Sequence, residues 1–265
     1  MSSGLTTDII SGIILLKKYV NSEVSELKTA LVTGGSRGIG RAVVEELCKK
    51  GYRVAFTYKN SEKEAKSLAE ATGAIAIKAD SAIEAEVVGA VKQAYSQLGK
   101  IDCLVNNAGV SSFSLFTDIT LEEWNRIFSV NVTGAFLYSR EVSRYMISEK
   151  SGRIINISSI WGLVGSSCEV HYSASKAALI GMTKALAKEL GLSGITVNAV
   201  APGLIDTEMN SSLSEDTVRE LIDETPLMRI GLPSDVARTV LYLASDAADF
   251  VTGQVLNVSG GFVID

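Results

Sequence analysis

Histidine, cysteine and proline are scarce in this chain. Their scarcity bears on metal binding, on the redox setting and on the kind of turn that the chain can form. The single histidine, His171, cannot complete a usual Cys/His metal set with three cysteines that lie far apart in 265 residues. The cysteines are also odd in number, which fits a reduced, cytoplasmic setting. With only 3 prolines against 23 glycines, we expect many tight turns between strands and helices.

Runs of basic residues and long runs of apolar residues are missing too. A net charge of −5 argues against a protein that binds nucleic acid, and no Lys/Arg run predicts attachment to a membrane surface. The apolar run at residues 9–16 is far shorter than the roughly 20 residues that span a membrane. The sequence therefore predicts no metal, no nucleic-acid partner and no membrane.

The pattern of the chain changes near residue 27. Residues 1–26 are expected to form a flexible N-terminal extension, with a docking helix for a partner subunit as the alternative. Residues 27–265 alternate short strands rich in Val and Ile with longer helical stretches, which is typical of one α/β domain with a doubly wound parallel sheet. Residues 203–231, the lid segment, are expected to form a mobile lid that holds a short helix. The predicted strands are 29–33, 53–58, 74–78, 103–106, 153–158, 196–201 and 254–258, and the predicted helices are 39–50, 61–71, 82–98, 121–148, 172–190 and 233–244.

A glycine-rich turn follows the first predicted strand and precedes the first helix. Glycines at this position allow a tight turn and a close approach of the backbone to a ligand phosphate. The N–H groups at the start of the helix then point at that phosphate. The turn therefore predicts dinucleotide binding, and a purely structural turn is the alternative. Its candidate cofactor contacts are Gly34, Ser36, Arg37, Gly38, Ile39 and Gly40.

Charges near the second strand favour NADP(H). Sites that select NAD usually place an acid after this strand to hold the ribose 2′-hydroxyl, and no acid occurs here before Glu62. Arg37 and Lys59 supply two cations instead, which suit a 2′-phosphate. The alternative is that both are merely solvated surface charges.

Polar and small residues follow two further strands. Asp80 and Ser81 close the third strand, where a carboxylate could accept a hydrogen bond from an adenine amino group or a nearby N–H. Asn107, Ala108 and Gly109 follow the fourth strand and let the backbone pass close to a ligand. A separate Asn131 interrupts an apolar helical pattern, and structural capping and a catalytic water site are equally consistent with it.

Tyr172 and Lys176 are four residues apart in helix-favouring sequence, so both side chains lie on one helical face. A nearby ammonium favours the phenolate and should lower the Tyr172 pKa, which would suit proton transfer to a carbonyl or from an alcohol. Ser159 ends the fifth strand, where its hydroxyl could face the phenol and bind a substrate oxygen. His171 adjoins Tyr172 and should point to a different face, which argues against a Ser-His triad.

Together these residues resemble the short-chain dehydrogenase/reductase family over residues 27–265. The resemblance implies a Rossmann-type seven-stranded sheet and the catalytic tetrad Asn131, Ser159, Tyr172 and Lys176. It implies that Tyr172 donates the proton, Ser159 orients the carbonyl, and Asn131 holds a water of the proton relay. Lys176 would bind the nicotinamide ribose and lower the Tyr172 pKa. Pro202 and Gly203 would flank the nicotinamide and Thr207 would touch it.

Within the family the chain is most similar to 3-oxoacyl-[acyl-carrier-protein] reductases of fatty-acid synthesis. That likeness implies NADPH-dependent reduction of a 3-oxoacyl thioester, a homotetramer, and docking of an acyl carrier protein near Arg144. A second basic docking position is occupied by Ser193. An NAD(P)-dependent dehydrogenase of a sugar, polyol or steroid alcohol is the alternative enzyme, and a non-catalytic NADP(H) sensor is the alternative outside catalysis.

Overall fold

The computed structural model describes residues 27–211 and 213–264. It shows a 7-stranded sheet in the order β3-β2-β1-β4-β5-β6-β7, with neighbouring strands parallel throughout. The predicted doubly wound parallel sheet is confirmed, while the predicted extension at residues 1–26 lies outside the described residues. The strands are β1 (Thr29–Val32), β2 (Arg53–Tyr58), β3 (Ile75–Lys78), β4 (Cys103–Asn106), β5 (Gly152–Ile157), β6 (Ile195–Pro202) and β7 (Val255–Val258).

Helices connect the strands, because successive parallel strands need a crossover that returns the chain to the same end of the sheet. In the part of the chain that the structure describes, no helix has both the length and the apolar character that crossing a membrane requires. The helices are α1 (Gly38–Lys49), α2 (Glu62–Thr72), α3 (Glu84–Leu98), α4 (Leu121–Phe128), α5 (Ala135–Glu149), α6 (Trp161–Val164), α7 (Val170–Leu190), α8 (Glu215–Asp223) and α9 (Pro233–Ala244).

Strand β1 lies inside the sheet, between β2 and β4, and is buried along its whole length. Ala30 and Val32 face a core cluster that includes apolar side chains of α1, α2 and α9. Leu31 faces the opposite cluster, which includes side chains of α3, α5 and α7. Because successive strand residues point to opposite faces and both faces are covered, the strand reads as a continuous apolar run.

The order of the strands changes direction at β1. From β1 to β3 each new strand is added on one side, and from β4 onward each is added on the other side. Strand β1 pairs with β2 on one side and with β4 on the other. Ligands of doubly wound sheets bind in the crevice outside the carboxyl ends of the strands at such a reversal. The glycine turn after β1 and the residues after β4 meet at this crevice, where Thr33 N–H donates to the Val105 carbonyl at 2.9 Å.

The predicted helix 121–148 is helical throughout, because α4 and α5 are joined without a gap. Its middle, Ser129–Gly134, is a π-helical turn that contains the buried Asn131 and was not predicted. Helix α6 was not predicted either, since its four residues are too few to show a helical period.

The lid segment leaves the end of β6 and returns close to its start. Gly231 N–H donates to the Leu204 carbonyl at 3.0 Å, and Asp206 N–H donates to the Gly231 carbonyl at 2.9 Å. The segment contains the predicted short helix, α8, whose N-cap Ser214 accepts a hydrogen bond from Thr217 N–H at 3.1 Å. The mobility of this segment stays a prediction.

Candidate active site

The turn after β1 is packed so closely that side chains would not fit at its glycines. Gly34 has a φ of +63°, and a Cβ there would lie 2.9 Å from the Ala108 Cα. A Cβ on Gly40 would overlap the Gly34 carbonyl oxygen and the Asn107 side chain. Arg37, the N-cap of α1, makes no side-chain cap bond, so the first N–H groups of α1 stay available to an anion. This geometry fits the phosphates of a dinucleotide.

The end of β4 is fastened to that turn by hydrogen bonds. Asn107 Nδ2 donates to the carbonyls of Thr33 and Gly34 at 3.0 Å each. Thr33 Oγ1 accepts from the N–H groups of Asn107, at 3.0 Å, and Ala108, at 2.9 Å. Thr33 was not among the predicted site residues, although a hydroxyl residue at the end of an apolar strand was a visible signal.

The two cations predicted to bind a 2′-phosphate each have a carboxylate partner in the structure. Lys59 Nζ lies 2.6 Å from the Asp80 carboxylate, which also accepts from Ala82 N–H at 3.0 Å. Arg37 pairs with Glu208, which begins a 3₁₀ turn of the lid segment. No acid follows β2 before Glu62, as expected, but the fold brings both carboxylates from other parts of the chain. Since the Arg37 side chain is 54% exposed, its ion pair is weak and easily exchanged.

The start of the lid segment folds back over the glycine turn. Pro202 ends β6, and Gly203 N–H donates to the Val258 carbonyl at 3.0 Å. A Cβ on Gly38 would lie 3.3 Å from the Thr207 methyl group, so these two residues are close neighbours. The structure thus brings the residues predicted around the nicotinamide to the same crevice as the glycine turn.

The remaining predicted cofactor residues lie at this edge of the sheet as well. Gly109 adjoins the predicted tetrad, because a Cβ on it would lie 3.4 Å from both Lys176 Nζ and Asn131 Oδ1. Ser36 and Ser81 are buried, and Ile39 lies in the first turn of α1.

Asn131 joins two parts of the site. Its Oδ1 accepts from Val110 N–H at 2.8 Å, and its Nδ2 donates to the Val110 carbonyl at 2.9 Å and to Ser175 Oγ at 3.0 Å. Ser175 Oγ in turn donates to the Tyr172 carbonyl at 2.7 Å. Both polar atoms of the Asn131 side chain are therefore used in holding the loop after β4 against α7.

Lys176 and Ser159 meet Tyr172 at the end of β5. Lys176 Nζ donates to the Ile157 carbonyl at 2.9 Å and lies 5.5 Å from the centre of the Tyr172 ring. Ser158 Oγ donates to the Lys176 carbonyl at 2.8 Å, which fixes α7 against β5. The Ser159 hydroxyl accepts from Trp161 N–H at 3.2 Å and lies close enough to the Tyr172 phenol to oppose the rise in its pKa. The structure thus assembles all four residues of the predicted tetrad.

The chain is similar to several known proteins over most of its length. A family model described as Enoyl-(Acyl carrier protein) reductase matches residues 34–263. The 3-oxoacyl-[acyl-carrier-protein] reductase of Staphylococcus epidermidis is 42% identical over 239 residues, which are 88% of this chain and 98% of that protein. The corresponding reductase of Synechocystis is 43% identical over 243 residues, 89% of this chain and 97% of that protein.

A solved structure matches as well. A double mutant of a Serratia marcescens short-chain dehydrogenase/reductase superposes with a TM-score of 0.84 and 42% identity, covering 89% of this chain and 97% of that one. This chain belongs to the short-chain dehydrogenase/reductase family. It is an oxidoreductase, and membership of the family implies a nicotinamide cofactor.

In this short-chain dehydrogenase/reductase the pKa of Tyr172 is raised, whereas the sequence led us to expect that it is lowered. Burial raises the pKa of the phenol above its ordinary value, a hydrogen bond from Ser159 opposes that rise, and the charge of Glu169 adds to it. The net shift is therefore upward because burial dominates, and the lowering of this pKa by Lys176 stays a prediction. Burial lowers the pKa of Lys176 to about 8, because a charged ammonium is poorly solvated there.

His171 is fully buried and does not serve a triad. Its Nε2 lies 2.6 Å from Ser112 Oγ, in the loop after β4, and its Nδ1 has no hydrogen-bond partner among the described residues. The Glu123 carboxyl has its pKa lowered to about 2 by hydrogen bonds from Arg126 and Ser112. Ser112, which the sequence did not single out, therefore ties the loop to α4 and α7. Among the described residues, no group of three or more His, Cys, Asp or Glu side chains could hold a metal ion.

Proposed function

We propose that this enzyme uses NADPH to reduce a 3-oxoacyl thioester, carried by an acyl carrier protein, to the 3-hydroxyacyl product in fatty-acid synthesis. The observation that carries the proposal is the meeting of Ser159, Tyr172 and Lys176 at the end of β5, beside a dinucleotide-type glycine turn. The names of the bacterial relatives support the choice of substrate.

In this proposal the Tyr172 hydroxyl gives its proton to the ketone oxygen. The nicotinamide, when bound, supplies a hydride to the ketone carbon, so that hydride and proton together convert the ketone to an alcohol. Ser159 Oγ donates a hydrogen bond to the same oxygen and stabilises the negative charge that develops on it. Burial disfavours the Tyr172 phenolate, so the hydroxyl stays protonated and ready to donate until the oxygen becomes basic.

Lys176 and Asn131 act on the position and charge of Tyr172. With a pKa of about 8, Lys176 remains largely protonated at neutral pH, and its ammonium offsets the phenolate that proton transfer leaves. Lys176 also contacts the nicotinamide ribose in this proposal. Asn131 fixes Val110 and, through Ser175, the start of α7. The relay water that family resemblance places at Asn131 stays a prediction.

The test is oxidation of NADPH in the presence of an acetoacetyl thioester, measured by the loss of the absorbance of the reduced nicotinamide. We expect turnover with both the carrier-linked and the small thioester. Rapid oxidation of a sugar, polyol or steroid alcohol with no reduction of either thioester would replace this proposal by the alternative enzyme. Tight NADP(H) binding without turnover of any of these compounds would support a sensor.

Arg37 is expected to determine the choice of cofactor. In the proposed complex its guanidinium exchanges the exposed Glu208 carboxylate for the 2′-phosphate, because a phosphate accepts stronger, charge-assisted hydrogen bonds. The protein should therefore have a higher kcat/KM with NADPH than with NADH. Arg37→Ala should lower the NADPH-to-NADH ratio of kcat/KM by about fivefold to a hundredfold. Arg41→Ala is the matched control, since Arg41 pairs with Glu45 on α1. Equal efficiency with both cofactors in the unmodified enzyme would contradict the assignment.

The protein is expected to assemble as a homotetramer. Strand β7 ends the sheet on one side, and a groove beside Tyr242 and Val255 runs along it. Phe136 and Ile147 leave apolar surface exposed on α5. In a tetramer, one neighbouring copy would cover the first surface by pairing its β7 with this β7, and another copy would cover the second surface by forming a four-helix interface.

Light scattering at micromolar concentration should then give about four times the monomer mass of 28.1 kDa. Phe136→Glu, which places a charge on the α5 surface, should reduce the mass to that of a dimer held through β7. A monomer mass for the unmodified protein would rule out the assembly.

The proposed carrier-docking surface includes Arg144, and two structural features determine which substitutions can test it. Arg144 donates to the buried Glu141 carboxylate at 2.8 Å, so part of its charge is already offset. Gly194 has a φ of +71°, and a side chain there would overlap the Lys150 carbonyl, which makes arginine unsuitable at this position. Ser193 is the remaining position for an added cation, and the exposed Lys150, whose carbonyl lies beside Gly194, is a neighbouring cation that the sequence did not indicate.

Ser193→Arg should lower the KM for the carrier-linked substrate a few-fold and leave the KM for the small thioester unchanged. Carrier proteins are acidic, so an added cation speeds their encounter and increases the salt dependence. Arg144→Glu should raise the carrier KM, while Lys63→Glu on α2 controls for net charge. The measurement is KM for both substrates at low and high salt. A parallel change in both KM values would count against docking at this surface.

A further inference from the structure

The C-terminal tail, residues 259–264, meets the active site at an aromatic contact. The Phe262 ring stands edge-on to the Trp161 indole, with ring centres 5.9 Å apart and an angle of 86° between the ring planes. This is one of the arrangements that aromatic pairs prefer. Trp161 is the first residue of α6 and follows Ser159 by two positions. The tail therefore touches the turn that carries the Ser159 hydroxyl.

The backbone of this turn contacts the Ser159 side chain directly. Trp161 N–H donates to Ser159 Oγ at 3.2 Å, and Gly162 N–H donates to the Ser159 carbonyl at 2.9 Å. A serine hydroxyl can accept two hydrogen bonds and donate one. Because the Trp161 N–H occupies one of the acceptor positions, the Ser159 O–H must point in another direction. The position of Trp161 thus helps to set the direction in which Ser159 donates.

Helix α6 is in contact with α7 on one side. A Cβ on Gly162 would lie 2.8 Å from the Lys176 carbonyl carbon and 2.9 Å from Ser158 Oγ, so α6 lies directly against α7 and the end of β5. A helix of four residues is not stable by itself and depends on packing for its position. Phe262 supplies packing from the C-terminal tail, at the residue where α6 begins.

The tail itself is well anchored. Phe262 N–H donates to the Ser259 carbonyl at 3.2 Å, and Asn257 Nδ2 donates to the Val263 carbonyl at 2.8 Å. On the side of the lid segment, Leu227 N–H donates to the Gly260 carbonyl at 3.1 Å. Phe262 therefore stands on a segment that hydrogen bonds hold before and after it.

We propose that Phe262 is a positioning residue. By packing on the Trp161 indole it holds the Trp161 N–H against Ser159 Oγ, so that the Ser159 O–H is directed to the ketone oxygen of the substrate. This inference rests on the proposed carbonyl reduction and adds a residue that acts on it through Ser159. Loss of the contact should lower the rate of the chemical step and leave the binding of substrate and cofactor unchanged.

The first experiment is steady-state kinetics of Phe262→Ala with the acetoacetyl thioester and NADPH. We expect kcat to fall by about threefold to tenfold, because a small misplacement of a catalytic group slows the reaction. Both KM values should stay within about twofold. Phe262→Tyr, which keeps the ring, should restore kcat. Phe250→Ala is the matched control, since Phe250 is fully exposed in the turn before β7. A lower affinity for NADPH with kcat unchanged would overturn the inference and indicate a role in the lid segment.

A double-mutant cycle with Ser159→Ala tests whether the effect passes through Ser159. Once the hydroxyl is absent there is nothing for the Trp161 N–H to orient, so adding Phe262→Ala should change the remaining kcat by less than about twofold. The same fold-loss of kcat in the presence and in the absence of the Ser159 hydroxyl would overturn the inference while leaving carbonyl reduction intact. An unmodified enzyme that reduces neither thioester would overturn the proposed function, and this inference with it.

Fluorescence provides a readout that is independent of turnover. The chain has 2 tryptophans, so in Trp124→Phe protein the emission comes from Trp161. Phe262→Ala should lower the anisotropy of that emission, because the indole loses its ring partner. Thermal unfolding verifies that each variant is folded, and Phe262→Leu takes the place of Phe262→Ala if the alanine variant does not fold. Unchanged anisotropy in the folded variant would show that Phe262 does not hold Trp161.

Discussion

Tyr172→Phe is expected to lower kcat by about a hundredfold or more, because it removes the acid that protonates the ketone oxygen. The phenyl ring fills the same buried space, so the fold and the position of Lys176 should be preserved. Ser159 can still hydrogen-bond the substrate oxygen but cannot replace the proton donor. The effect should therefore appear in kcat far more than in the affinity for cofactor.

Steady-state kinetics with the acetoacetyl thioester and a fluorescence titration with NADPH separate these two quantities. Tyr242→Phe on α9 serves as the control, and light scattering checks that its assembly is unchanged, because Tyr242 lies beside the β7 groove. Turnover by the Tyr172→Phe variant within a few-fold of the unmodified rate would mean that another group donates the proton.

The second large effect is expected from Gly40→Ala. The added methyl group would overlap the Gly34 carbonyl and the Asn107 side chain, so the turn must shift to make room. Overpacking of this kind costs about 1–3 kcal/mol. Because the displaced atoms are those that would face the phosphates, we expect the NADPH dissociation constant to rise by about tenfold or more.

Gly89→Ala is the matched control for this change. Gly89 lies within α3, and a Cβ there would meet nothing within 4 Å. Alanine should stabilise that helix by about 0.5–1 kcal/mol and leave cofactor affinity unchanged. Thermal unfolding and fluorescence titration measure the two effects. An unchanged NADPH dissociation constant in Gly40→Ala would show that the glycine turn does not carry the cofactor phosphates.

The boundaries of the strands were predictable because each strand is a local pattern. Predicted strand 53–58 matches β2, and predicted strand 103–106 matches β4. The other strands differ by a residue or two at their ends, where the pairing of neighbouring strands decides the boundary. The extent of helix 121–148 was also predictable, but the π-helical turn in its middle was not, since no residue type in this stretch marks the change in backbone hydrogen bonding.

The sequence by itself determined the sheet, the glycine turn and the pairing of Tyr172 with Lys176. These features depend on residue periodicity and on spacing within one turn or one helix, which a linear sequence displays directly. It also identified Ser159 as a neighbour of the phenol, since a strand end and the following helix start lie close together in this fold.

Only the tertiary structure decided the charge environment of the site. Arg37 and Glu208 are 171 positions apart in the chain, so no local pattern could reveal that the expected phosphate ligand has a carboxylate beside it. The direction of the Tyr172 pKa shift was missed for a related reason. Spacing shows that Lys176 is near, but burial, which the whole fold creates, has the larger effect on the phenol.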